Sequence, residues 1–228
     1  MGAVLATEEM ESLLSRCASS DWRERVAALA ELTDFTQQER PTCTHHVLKV
    51  STALAGRLVD SNNKVVLAAA HTTGAYIGHL RGEAMDRCVP VLLPCLALCL
   101  VSQQRPVCEA SGALVERLLT ACDPGAILAP LVGLLKTSAN ARVRVIMLEK
   151  LSALIPALHA RRPAAVARHA LPAIFGLIDE SKPDVKTGAT DVLLRAAVVI
   201  GKEGVLEAAR SAGLPEPTLL KIKKLIKS

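Results

Sequence analysis

Two groups in this chain have side chains suited to metal chemistry: the adjacent pair His45-His46, and Cys95 with Cys99 four residues on. On a helix, an i, i+4 pair can grip one ion, but a closed site needs four ligands and a catalytic one three. No third or fourth ligand follows at a usable spacing, so the cysteines read as small core residues and the histidines as a surface pair. Gly201-Lys202-Glu203-Gly204 lacks the glycine spacing and the following Ser or Thr of a phosphate-binding loop. No Ser-His-Asp or Cys-His arrangement has a supporting local motif. The expectation is a protein that is not an enzyme and that holds no metal and no cofactor.

What remains is non-covalent chemistry, carried by charge and one indole. Five times a short polar stretch with at least one charge runs into a valine that opens an apolar run. The stretches are Ser20 to Val26, Asp60 to Val65, Ser102 to Val107, Ser138 to Val143 and Ser181 to Val185. Within them stand Trp22 and Arg23; Asn62, Asn63, Lys64 and Val65; Arg105; Arg142 and Arg144; and Lys182 with Lys186. A tryptophan beside cations is the composition of an interface anchor, because a large ring loses much water on contact while the charges set register. The alternative is a ring packed over the first helix and bases that merely solvate a face.

Helices must hold these stretches. The five valines lie 39, 42, 36 and 42 residues apart. A period near forty with two helices per period marks stacked helix pairs of the HEAT type. Such a stack brings equivalent turns to one edge. The expected architecture is all-α, an α-solenoid of about six helix pairs forming a flat paddle in a single domain over 1–228. The pairs fall at about 7–40, 42–81, 83–121, 123–160, 162–201 and 203–228, the last a degenerate cap. Thr7 is expected to cap the first helix, and Asp21 with Glu24 to form a capping box on the second. Helices are expected at 163–178 and 183–200 in the fifth pair. Val143, Met147, Leu151, Leu154 and Leu158 share one helical face, as do Val65, Ala69, Thr72 and Tyr76.

Composition agrees. Half of the 228 residues are hydrophobic, 21% are charged and 2% are aromatic, so leucine, valine, alanine and isoleucine must build the core. The net charge of +5 is too small to name a partner by itself. Seven cysteines inside apolar patterns, with no basic leader before Glu8-Glu9, read as a soluble intracellular protein. The longest apolar run, Cys88 to Val101, carries Pro90 and Pro94 and is too short for a bilayer. A second basic cluster, His159 to Arg162 with Arg168-His169, reads as a solvated face, with a phosphate or lipid-headgroup site as the alternative. The Lys221–Lys227 tail reads as an amphipathic cap helix rather than a membrane-surface segment.

The turn residues resemble those of a TOG domain, the six-repeat HEAT paddle of the microtubule polymerases, the CLASP proteins and the crescerin-type ciliary proteins. The resemblance rests on Ser20-Asp21-Trp22-Arg23-Glu24-Arg25, on the asparagine- and valine-containing second turn, and on the basic third, fourth and fifth turns. It covers the chain from Thr7 to about Lys227 and leans to the CLASP and crescerin side. It implies binding of the αβ-tubulin heterodimer or the microtubule lattice through the turns inside each repeat. Trp22 would insert against β-tubulin, flanked by Arg23, Asn62, Asn63, Lys64 and Val65. Arg105 would sit mid-paddle, and Arg142, Arg144, Lys182 and Lys186 would reach α-tubulin. It further implies a monomeric domain of a larger cytoplasmic protein on microtubules, at a cilium or centrosome, with no nucleic acid and no membrane. Arg23 stands where lysine is common in the family, and Lys186 where arginine is frequent. A helical-repeat DNA glycosylase would need clustered aromatic rings to hold a base, and here they are scattered. The other open reading is a HEAT scaffold that binds a protein along its helical face.

Overall fold

The computed structural model describes residues 2–227; Met1 and Ser228, the outer ends of the first and last expected segments, lie outside the described residues. Among these residues every regular element is helical. The chain divides into two compact units, Met1–Asp123 and Pro124–Ser228. The division falls at Asp123-Pro124, where the fourth helix pair was expected to begin.

In the first unit α1 spans Gly2–Arg16, α2 Trp22–Gln38, α3 Arg40–His45, α4 Val47–Leu58, α5 Asn63–His79, α6 Gly82–Cys99 and α7 Arg105–Ala121. Helices α2, α5 and α7 pack side by side as one layer, and α4 and α6 form the layer behind them. The core between the layers is aliphatic: Leu29, Leu32, Leu54, Ile77, Leu92 and Leu96 are fully buried. Each such side chain contributes roughly 1.5–3 kcal/mol of burial. Polar bonds register the layers. The Tyr76 hydroxyl donates to the Val47 carbonyl at 3.1 Å, and burial drives its pKa up. The Thr72 hydroxyl donates to the Leu29 carbonyl at 3.0 Å, tying α5 to α2.

The second unit holds α8 (Pro124–Thr137), α9 (Ala141–Arg161), α10 (Pro163–Ala165), a π-helical turn (Val166–Ala170), α11 (Leu171–Phe175), α12 (Pro183–Ile200), α13 (Lys202–Ser211) and α14 (Glu216–Leu225). Helices α9 and α12 pack together, while α8, the 163–175 segment and α13 lie behind them. The stripe Val143, Met147, Leu151, Leu154 and Leu158 is buried throughout, as its spacing predicts. Ile222 of α14 and Ile226 at its C-cap are buried while Lys221 reaches Asp179, so the terminal segment docks on its own unit.

Four local expectations are corrected. Helix α1 begins at Gly2, so Thr7 lies inside it; Ala3 to Ala6 are strong enough helix formers to extend it past the threonine. The capping box on α2 does not form. Asp21 caps Arg23 N–H at 2.9 Å, but Glu24 turns away to Arg16 at 2.6 Å, and the Asp21 N–H finds Ser19 Oγ instead. The 163–178 helix is broken: Pro172 has no N–H for the Arg168 carbonyl, the ladder widens, and the Leu171 N–H reaches back to the Val166 carbonyl. It also stops at Phe175, three residues early. Finally, Val65, Val107, Val143 and Val185 sit three residues past a helix N-cap and are buried, whereas Val26 sits five past Asp21 and is half-buried. Counted at the N-caps, 21, 62, 104, 140 and 182, the period is 41, 42, 36 and 42 residues.

A cationic set of helix starts as candidate functional site

Each of α2, α5, α7, α9 and α12 is entered through a turn of the same construction. Two residues before the N-cap, a side chain folds back onto the turn. Ser19 accepts from Asp21 N–H at 3.2 Å, Asp60 from Asn62 at 3.0 Å, Ser102 from Gln104 at 3.1 Å and Ser138 from Asn140 at 3.3 Å. The fifth turn varies this, Glu180 accepting from Ser181 N–H at 2.9 Å. Where the N-cap is Asp21, Asn62 or Asn140, its side chain then accepts from the second helical residue at 2.9 Å. Those second residues are Arg23, Lys64 and Arg142, so the cap that starts each helix also fixes a cation on its first turn. Gln104 and Lys182 make no side-chain cap; proline stands instead in the first turn, Pro106 second in α7 and Pro183 first in α12.

A cation at this place is electrostatically wrong for folding. Unsatisfied N–H groups make a helix start positive, and an acid there is favoured by about 0.3–1 kcal/mol where a base is penalised. Yet Arg23, Lys64, Arg105, Arg142 and Lys182 occupy an N-cap or first-turn position in all five cases. All five side chains are exposed. Arg105 pairs with Glu109 at 2.6 Å, but with side chains 87% and 62% exposed that contact is readily exchanged.

The first unit adds an aromatic. Trp22, the first residue of α2, is half-buried and has two cations over its ring, Lys64 Nζ 5.0 Å and Arg23 Cζ 5.2 Å from its centroid. The structure thus brings Trp22, Arg23 and Lys64 together from two turns 41 residues apart in sequence. Asn63 is exposed beside them, and Asn62 is occupied as a cap. Val65 is fully buried, so it supports the second turn from beneath and offers no surface.

A buried ion pair holds these two turns together. Arg25 extends from α2 to Asp60 in the second turn, Nη2 lying 3.0 Å from Oδ1, and also donates to the Ser19 and Ser20 carbonyls at 2.8 and 3.0 Å. Arg57 joins the same carboxylate at 2.9 Å. The second unit repeats the device: Arg144 pairs with Glu180 across the fourth and fifth turns. Its guanidinium and the Ser181 donors hold the Glu180 carboxyl at about 2, well below the ordinary 4.5. Arg144, expected among the partner-facing residues, is therefore engaged inside the chain, while Arg142, Lys182 and Lys186 face solvent. Both pairs join the fourth residue past one N-cap to a carboxylate two residues before the next, and reading the charges at that spacing would have found them.

Elsewhere the expected small sites resolve plainly. Cys99 is buried with its thiol on the Leu58 carbonyl, and the His45 and His46 rings stack edge-on at 4.8 Å. Among the described residues no cluster of three His, Cys, Asp or Glu side chains is arranged to hold a metal, and no helix is long and apolar enough to cross a membrane.

No family model matches the chain. The human TOG array regulator of axonemal microtubules protein 1 is 24% identical over 177 residues, 76% of this chain and 10% of that protein, so the chain spans about a tenth of the relative's length. Among solved structures, a TOG domain of crescerin, a protein that uses a TOG domain array to regulate microtubules in the primary cilium, matches at TM-score 0.70 and 16% identity over 95% of this chain and 88% of that one. A TOG structure concerned with tubulin-binding specificity in microtubule dynamics and mitotic spindle formation matches at TM-score 0.68 and 16% identity, covering 98% and 86%. The chain has the fold of a TOG domain, a HEAT-like α-solenoid.

Proposed function

We propose that this domain binds the αβ-tubulin heterodimer through its five helix-start turns, as one module of a larger cytoplasmic microtubule-associated protein of cilium or centrosome. The observation that carries the reading is the placement of five exposed cations where the helix dipole disfavours them. The dipole gives these cations no advantage at a helix start, and exposed cations suit a strongly acidic partner. Trp22 supplies the desolvated anchor against β-tubulin, with Arg23, Asn63 and Lys64 around it. Arg105 follows, and Arg142, Lys182 and Lys186 meet α-tubulin. Arg25, Asp60, Arg144 and Glu180 position the turns. The module works as a monomer and catalyses no reaction.

The test is size-exclusion co-elution with purified αβ-tubulin. The Trp22→Ala, Arg142→Ala double variant is expected to keep its helicity and lose co-elution, an anchor of this type being worth about 2 kcal/mol or more. Wild-type binding is expected to weaken as salt rises. Co-elution retained by the folded double variant contradicts the reading and favours a scaffold that binds through its helical face.

A further inference from the structure

The turns do not use a groove that lies wholly within the second unit, between α8 and the 163–175 segment. Its volume is about 660 Å³. The floor is apolar, with Leu128, Ala129 and Val132 of α8 facing Pro172. The polar residues that line it are Lys136, Arg162, Arg168 and His169, every one of them basic. Lys136, Arg168 and His169 are exposed, and among the described residues they pair with no carboxylate. The widened ladder at Val166–Ala170 carries both Arg168 and His169, and π-turns of this kind recur at functional sites. The hollow on the other flank of the same segment has Glu207 in its lining as well as Arg168 and so lacks the uniform charge.

We propose that this groove receives an extended acidic peptide segment, its carboxylates meeting Lys136, Arg168 and His169 and an apolar side chain lying on Leu128 and Val132. Charge complementarity selects an anion, and the apolar floor selects one with a hydrophobic side chain. The shape selects an elongated ligand. Gly125 and Lys136, which line opposite ends of the α8 stripe, are separated by about 16 Å of helix, the span of roughly five extended residues. A compact phosphate would engage one or two of these cations and leave the floor uncovered. The inference is independent of tubulin binding by the turns.

The test is fluorescence anisotropy of the full chain with a fluorescein-labelled Glu-Glu-Leu-Glu-Glu peptide. Saturable, salt-sensitive binding is expected. The Lys136→Glu, Arg168→Glu pair should weaken it on the order of tenfold, two rim contacts being turned from attraction to repulsion. Gly133→Leu should weaken it as well. Gly133 lines the groove and nothing stands within 4 Å of a Cβ built there, so a larger side chain has room to enter the groove, and far-UV circular dichroism checks that the variant stays folded. Both groove variants should keep tubulin co-elution. Three results overturn the proposal: no saturable binding, binding lost in Arg142→Glu but kept in the groove variants, or binding to phosphoinositide vesicles with none to the peptide.

Discussion

The first two turns of the first unit and the last two turns of the second are built on one plan and tuned differently. Each plan joins an arginine to a carboxylate across neighbouring repeats. In the first unit that carboxylate, Asp60, is 4% exposed, serves two arginines, and Arg25 also satisfies two backbone carbonyls. In the second, Glu180 is 22% exposed and serves Arg144 alone among the arginines. The indole belongs to the helix that carries Arg25 of the tighter pair, and the exposed Arg142, Lys182 and Lys186 belong to the two turns that the looser pair joins. An inserting ring gains most from a site fixed beforehand, because any ordering at binding is subtracted from the contact it makes. Dispersed cations act through the field and tolerate looser geometry. On the proposed function, anchoring falls to the first pair of turns and electrostatic steering to the second.

The largest break in that comparison is Asp60→Asn. It leaves Arg25 buried beside Arg57 without a counter-charge, which typically costs about 3–5 kcal/mol. Urea denaturation should show that loss, and the Trp22 environment should change in fluorescence with it. The equivalent Glu180→Gln should cost much less, since its carboxylate is more exposed. Its pH dependence has a definite sign. The folded carboxyl titrates at about 2 and the unfolded one near 4.5, so its stabilisation is complete above about 5 and fades as pH falls from 4.5 toward 2. Wild type and Glu180→Gln should differ in denaturation midpoint at neutral pH and converge through that acid window. A constant difference down to pH 2 would remove the ion pair from the account.

The helices were legible because apolar spacing is a local signal. Val143 to Leu158 reads as a buried face from sequence and is one. The cap Asp21 was legible, since its chemistry lies within two residues of the helix it starts, whereas Asn62 and Asn140, which cap in the same way, were not read as caps. The register of the first repeat was not. Val26 looks like the valine of the other turns, but the buried place beside it is held by Arg25, whose partner Asp60 lies 35 residues away. The pairing of Arg144 was hidden for the same reason: Glu180 lies 36 residues on, and only the spacing counted from the N-caps connects them. The π-turn escaped because the proline that causes it stands inside an otherwise regular apolar pattern, where sequence spacing shows the face but not the missing donor.

The smallest structural effect gives the sharpest test. Arg142→Glu replaces a cation on the first turn of α9 with the charge that helix start prefers. Thermal unfolding and tubulin affinity should be measured on the same preparation. The account predicts that stability holds or rises by about 0.3–1 kcal/mol while affinity for αβ-tubulin falls. A variant that loses stability, or that binds tubulin as tightly as wild type, would show that the cations at the helix starts serve the fold rather than a partner.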